Sequence, residues 1–124
     1  GTFWLDCVHF SMDLHDLSLT ELIPLLNQFF ELEKKTSKLS DGQKLNRNLR
    51  RMREQFGALG LYYHNPFGER YDETRTDCEA SIAGEMSEDL YITEVLKPII
   101  HYKKGPEVQL LQAGLVIVAA KQYT

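Results

Sequence analysis

Cysteine is scarce in this chain of 124 residues: Cys7 and Cys78 lie far apart and form no CxxC pair. That spacing offers no disulfide framework, and the cytoplasm is the expected compartment. No apolar run approaches the ~20 residues needed to span a bilayer, so no membrane association is expected. Positive charge is not in excess: 14 Lys and Arg stand against 18 Asp and Glu, a formal net charge of −4. Such a chain lacks the electrostatic footprint of wholesale nucleic-acid binding. The glycines are isolated, with no G-x-G-x-x-G and no P-loop, so nucleotide binding by the chain itself is not indicated. There is no internal repeat or low-complexity tract. The opening Gly1-Thr2-Phe3-Trp4 has neither an initiator Met nor a basic n-region and reads as a trimmed segment.

What is present is ordinary globular composition, 43% hydrophobic and 26% charged. That is enough to build a core. The pattern divides into a helical part, 1–59, and a strand-rich part, 60–124. Phe3, Cys7, Phe10, Leu14 and Leu17 alternate at spacings of four and three, one seam of a helix. Ser18 to Glu21 has capping-box spacing, and Pro24 follows it. Either a new helix starts near Thr20 or one long helix bends there. Leu22, Leu25, Leu26, Phe29, Phe30 and Leu32 continue the apolar stripe. A second capping box, Ser40 to Gln43, precedes Leu45, Leu49, Met52, Phe56 and Leu59 at helical spacing. This predicts a helix over 41–58 that Gly57 and Gly60 end. Helix, short connection and helix read as an antiparallel hairpin.

Past Gly60 the period changes. Leu61 to His64, Cys78 to Ala83, Tyr91 to Leu96 and Val108 to Ala119 read as strands, the last being the longest. Turn signals stand at Asn65-Pro66, Gly84 and Lys104-Gly105-Pro106. The fold class expected is α+β: N-terminal helices followed by a small, mostly antiparallel β domain.

No catalytic constellation is persuasive, and no enzyme activity is expected. His9, Asp13 and Asp16 share a helical face, but no further ligand completes a metal site. Cys78 stands between Asp77 and Glu79, which disfavour a thiolate; His64 and His101 are the available bases. Arg47, Arg50, Arg51 and Arg53 form one basic cluster. It reads as the solvated face of the second helix, with an acidic protein partner favoured over phosphate. Tyr62, Tyr63, Phe67 and Tyr71 read as core and strand-pair packing.

The order of features resembles the GrpE family, the nucleotide exchange factors of DnaK-type chaperones. Glu21-Leu22-Ile23-Pro24-Leu25-Leu26-Asn27 looks like the family's Leu-Leu-Pro-hydrophobic-hydrophobic-Asp segment. Phe56 to Leu61 is similar to the Gly-hydrophobic join before the β domain. Tyr71-Asp72-Glu73 and Cys78-Glu79-Ala80 look like the Phe-Asp-Pro and His-Glu-Ala pair. Tyr91 to Leu96 resembles the Val-x-Glu-Val-Leu strand, and Leu111 to Ala119 the closing Leu-Arg-Pro-Ala-x-Val-x-Val-Ala strand. The resemblance covers about residues 21–120 in order. Departures are Asp72-Glu73 for Asp-Pro, Cys78 for the His, and Pro98-Ile99-Ile100 for a Lys-Gly-Tyr turn.

The resemblance implies a homodimeric co-chaperone without cofactor or metal. Its β domain would promote ADP release from the nucleotide-binding domain of a DnaK-type chaperone. Carried over by position, the partner-binding residues are Tyr71, Asp72, Glu73, Leu96, Leu115 and Val118. The apolar helical residues Phe3, Phe10, Leu14, Leu17 and Phe29 are expected at the dimer interface. The alternative is a GrpE-fold interaction protein without exchange activity that docks on another partner.

Overall fold

The structure, a computed structural model, describes the backbone of residues 2–120 and the side chains of residues 19–120. It opens with one uninterrupted helix, α1 (Thr2–Thr36), which runs through Pro24. No new helix begins near Thr20, and Ser18 lies inside the helix rather than at its cap. Proline removes one intrahelical hydrogen bond. What holds the helix past it is the apolar stripe: Leu26, Phe29 and Phe30 are each 3% exposed or less. Leu25 and Leu32, expected in the same stripe, are about half exposed. They lie off the buried seam. A 3₁₀ turn (Gly42–Leu45) then leads into α2 (Asn46–Ala58), which begins later than the sequence predicts. The Ser40–Gln43 box goes unused: Asp41 takes the N-cap position of the turn without a side-chain cap bond. Of the α2 stripe only Leu49 and Phe56 are buried; Leu45, Met52 and Leu59 are exposed. No helix among the described residues is long and apolar enough to cross a membrane.

Among the described residues seven strands follow: β1 (Leu61–His64), β2 (Arg70–Tyr71), β3 (Cys78–Ile82), β4 (Leu90–Lys97), β5 (Ile99–Lys104), β6 (Glu107–Gln112) and β7 (Gly114–Ala120). They form two sheets, one of order β1-β5-β6 and one of order β2-β4-β7-β3. Every pairing is antiparallel except β3 with β7. The α+β class expected from the sequence is therefore what forms. The single strand expected over Val108 to Ala119 is instead two, β6 and β7, one in each sheet. β5, which starts directly after Pro98, was not among the expected strands.

The core has two clusters. In one, Phe30 covers Cys78, Leu90, Ile92, Val95, Ile99, Val116 and Val118. In the other, Leu26 and Phe29 pack with Leu49, Phe56, Leu61 and Ile100. Neighbouring residues thus serve different clusters: Phe29 and Phe30 on α1, Ile99 and Ile100 on β5. Tyr63 packs against both. α1 lies along the seam between the sheets. Each fully buried aliphatic there contributes about 1.5–3 kcal/mol. Polar bonds fix the docking: Asn27 and Gln112 exchange side-chain bonds at 2.9 and 2.8 Å, and Lys34 donates to the Val95 carbonyl at 3.0 Å. Residues 59 and 60 separate helices from strands, yet both clusters draw on both parts.

Candidate docking face

Strand alternation decides what the four-stranded sheet shows. On β7, Val116 and Val118 point into the core, so Leu115, Ile117 and Ala119 point away from it. Their partners in register follow: Glu79 and Ser81 on β3, and Lys97, Glu94 and Tyr91 on β4. β4 departs from simple alternation twice. Its pairing with β7 shifts between Ile92 and Glu94, and again between Val95 and Lys97. Thr93 and Leu96 are the extra residues. A bulge of this kind re-aims a side chain, and bulges concentrate beside functional sites. Thr93 donates to the Ile117 carbonyl at 3.2 Å. Leu96 is turned outward, 44% exposed, level with Leu115 and Val116 on the neighbouring strand. The result is a mixed outer face on which Leu96 and Leu115 stand together at one end, with Glu79, Ser81, Glu94 and Lys97 around them. At the other end Phe67, Tyr91, Thr93 and Ala119 line a shallow groove, and Phe67 is 64% exposed.

The remaining candidate residues lie elsewhere. Tyr71 pairs with Leu90 at the opposite end of β4, about 20 Å from Leu96 at strand rise. Its ring packs against the core side of the sheet. Asp72 and Glu73 are exposed beside it and line a second groove with Ile82, Met86 and Leu90. The Asp72 carboxylate accepts bonds from the Thr74 hydroxyl and amide; these hold it below the usual carboxylate range. Val118 is fully buried, and that expectation is corrected: the alternation that exposes Leu115 turns Val118 into the core. Leu96 and Leu115 are thus brought together, while Tyr71, Asp72 and Glu73 form a separate cluster on the other face. Ile117, Tyr91, Thr93 and Phe67 were missed. Alternation about Val116 would have found Ile117; the bulges left no sequence signal.

Among the expected dimer residues, Phe29 is covered within one copy, by Phe56 at 5.3 Å and Tyr63 at 6.1 Å between ring centroids. The side chains of Phe3, Phe10, Leu14 and Leu17, like those of His9, Asp13 and Asp16, lie outside the described residues.

The chemistry-bearing side chains are engaged structurally. Tyr63 donates its hydroxyl to Glu33, and Arg53 donates to both. Burial first, then the bond to Glu33, pushes the phenol up to about 12. Arg75 donates to Asp77 at 2.6 Å, Glu69 at 2.8 Å and the Arg70 carbonyl at 3.1 Å, and His64 pairs with Glu69. Arg75 holds Asp77 below its usual range against the smaller push of burial. Cys78 is buried beneath this network. Burial pushes its thiol up to about 11; the Arg75 charge opposes that and Asp77 adds to it. His64, Cys78 and His101 line none of the grooves described here. No protein-family model, curated protein or solved structure matches the chain.

Proposed function

We propose that this chain is a GrpE-like co-chaperone whose β domain promotes ADP release from a DnaK-type chaperone. The observation that carries the reading is the outer face of the four-stranded sheet, where a bulge turns Leu96 out beside Leu115. It is supported by the order of motifs along residues 21–120 and by the helix-then-sheet architecture that accompanies them. The factor does no chemistry. It docks on the nucleotide-binding domain and binds the open cleft more tightly than the closed one; by linkage ADP is then held less tightly. A tenfold loss of ADP affinity requires about 1.4 kcal/mol of coupling. Tyr71, Asp72 and Glu73 form a second contact at the far end of the sheet.

The helices join two copies in the cytoplasm. Phe3, Phe10, Leu14 and Leu17 supply the seam, and exposed Leu25 and Leu32 on α1 extend it. Phe29 is left out of that seam, being already covered. The test is release of a fluorescent ADP analogue from a DnaK-type chaperone, with and without the protein. Saturable acceleration is expected, and its absence at micromolar concentration sinks the proposal.

A second reading is a GrpE-fold interaction protein without exchange activity. It is favoured by Pro98, Ile99 and Ile100, which stand where the family has a polar turn and are all buried. Reproducible recovery of a different partner, with no DnaK-type chaperone, selects it.

A further inference from the structure

The three-stranded sheet ends on an open strand. β6 is its outer member, bonded to β5 on one side and to no strand on the other among the described residues. The direction of its main-chain groups follows from one bond: the Lys103 amide donates to the Gly60 carbonyl, on the β1 side. Lys103 therefore turns its N–H and C=O away from β6, and its partner Val108 turns its own away from β5. Leu110, opposite His101, does the same by alternation. The tight turn at Gly105 and Pro106 agrees, since it leaves Lys104 opposite Glu107 as the closing bonded pair. Val108 and Leu110 thus aim their N–H and C=O groups outward, and none of these has a partner among the described residues.

Sheet edges are normally blunted by shortness, charge, proline, a bulge or a covering helix. β2 has only two residues, and β3 carries a charge, Glu79. β1 has α2 against it, where the Tyr62 hydroxyl donates to the Gly57 carbonyl. β6 uses none of these devices over residues 107–110. All of Glu107 to Leu110 are exposed, Val108 at 59% and Leu110 at 42%. The one charge, Glu107, stands at the start of the strand, and Pro106 lies before it. The bulge, where Leu111 is the extra residue against β5, comes only after Leu110.

We propose that β6 pairs antiparallel with β6 of a second copy, about a two-fold axis through Gln109. In that register Val108 lies opposite Leu110 of the second copy, and Leu110 opposite its Val108. Each such pair exchanges both of its main-chain bonds, so every outward group of Val108 and Leu110 is used. The side chains agree, because each exposed Val108 meets an exposed Leu110 across the strands. Charge agrees as well: Glu107 falls opposite Leu111, which keeps the two Glu107 carboxylates roughly 14 Å apart. Neighbouring registers spoil the match. With Val108 opposite itself, Pro106 falls opposite Leu110 and has no N–H to give. With Leu110 opposite itself, Val108 faces Gln112, whose side chain is committed to Asn27 and the Pro98 carbonyl. The strand answers itself in one register, which selects a second copy over an unrelated strand. The contact is isologous and closes at two copies. It is separate from the α1 seam and from the outer face of the four-stranded sheet, and rests on neither.

Sedimentation of the full chain is read from about 10 to about 500 μM, because one short strand buries less than the ~800 Å² per partner of a standard interface. The wild-type mass is expected to double across that range. Val108→Lys, Leu110→Lys sets like charges directly opposite each other and is expected to weaken association at least tenfold. Neither side chain belongs to a core cluster, so the variant keeps its fold by circular dichroism. Cysteine bridging reads the register. Gln109→Cys brings the two copies' Cα atoms to about 4.5 Å, within reach of a disulfide, whereas Glu107→Cys does not. After mild copper-catalysed air oxidation, peptide mapping should find the 109–109 bridge at least tenfold more abundant than the 107–107 bridge. Equal masses of wild type and the Lys variant at every concentration overturn the proposal: one copy in both leaves the edge to a strand of another protein, and two in both is the α1 seam alone. Equal bridging at 107 and 109 overturns it as well.

Discussion

Gly60, at the join of α2 and β1, carries the most quantitative prediction. Its φ is +83°, in the left-handed region, and a Cβ there would sit 2.7 Å from the Lys103 carbonyl oxygen and 2.8 Å from Tyr102 Cε2. The carbonyl cannot retreat freely, because Lys103 is in β5 and its amide donates back to the Gly60 carbonyl at 2.8 Å. Gly60→Ala therefore adds two penalties. The left-handed conformation costs about 1 kcal/mol for a residue with a Cβ. Forcing a methyl into occupied space costs about 2 kcal/mol more. Together these make about 3 kcal/mol, or a fall in Tm of ~10–15 °C for a chain of this length. Gly68→Ala is the internal control. Its φ is +82°, but nothing lies within 4 Å of the added Cβ, so only the conformational penalty of about 1 kcal/mol applies. Thermal and urea melts followed by circular dichroism should separate the two variants by about 2 kcal/mol. Equal midpoints would refute the reasoning and show that the α2–β1 join yields where the packing says it is fixed.

On the sheet, Val118→Ala should destabilise by about 2 kcal/mol in urea titration, through lost burial and the cavity left behind. The double change Leu96→Ala, Leu115→Ala should cost less in stability and yet abolish most chaperone stimulation; the reverse pattern would move the docking face elsewhere. Asp77 is depressed by Arg75, so the stabilisation it gains is complete above its unfolded value, near 3.8, and is lost as pH falls through its lower folded value. Arg75→Met should flatten the loss of stability below about pH 4, and an unchanged acid profile would contradict that pairing. Cys78, with its thiol near 11, is only about 0.1% thiolate at pH 8. Peptide-resolved alkylation of the native chain should run at least a hundredfold more slowly than in the urea-unfolded chain, and comparable rates would place the thiol at the surface.

Much of the fold was legible because the pattern was local. Leu61 to His64 alternates as a half-buried strand does, Tyr91 to Leu96 falls within β4, and Leu49 with Phe56 marks the buried side of α2. What was illegible depended on distant contacts. α1 survives Pro24 because Leu26, Phe29 and Phe30 are held by two sheets formed later in the chain. Val108 to Ala119 divides at Ala113 because Gln112 is held there, donating to Asn27 and to the Pro98 carbonyl. The parallel pairing of β3 with β7 joins strands more than thirty residues apart, which no local pattern announces. For the docking face, Leu96 and Leu115 were expected by position in the resemblance, and alternation about buried Val116 accounts for Leu115. The outward turn of Leu96 depends on where β4 slips against β7, a property of the pair and not of either strand.

The most direct measurement mixes the full chain with a DnaK-type chaperone loaded with fluorescent ADP and follows release by stopped flow, wild type beside the Leu96→Ala, Leu115→Ala variant. The account predicts that wild type speeds release at least tenfold and saturates, and that the variant, folded by circular dichroism, loses most of that effect. Wild type leaving the rate unchanged, or the variant matching wild type, contradicts it.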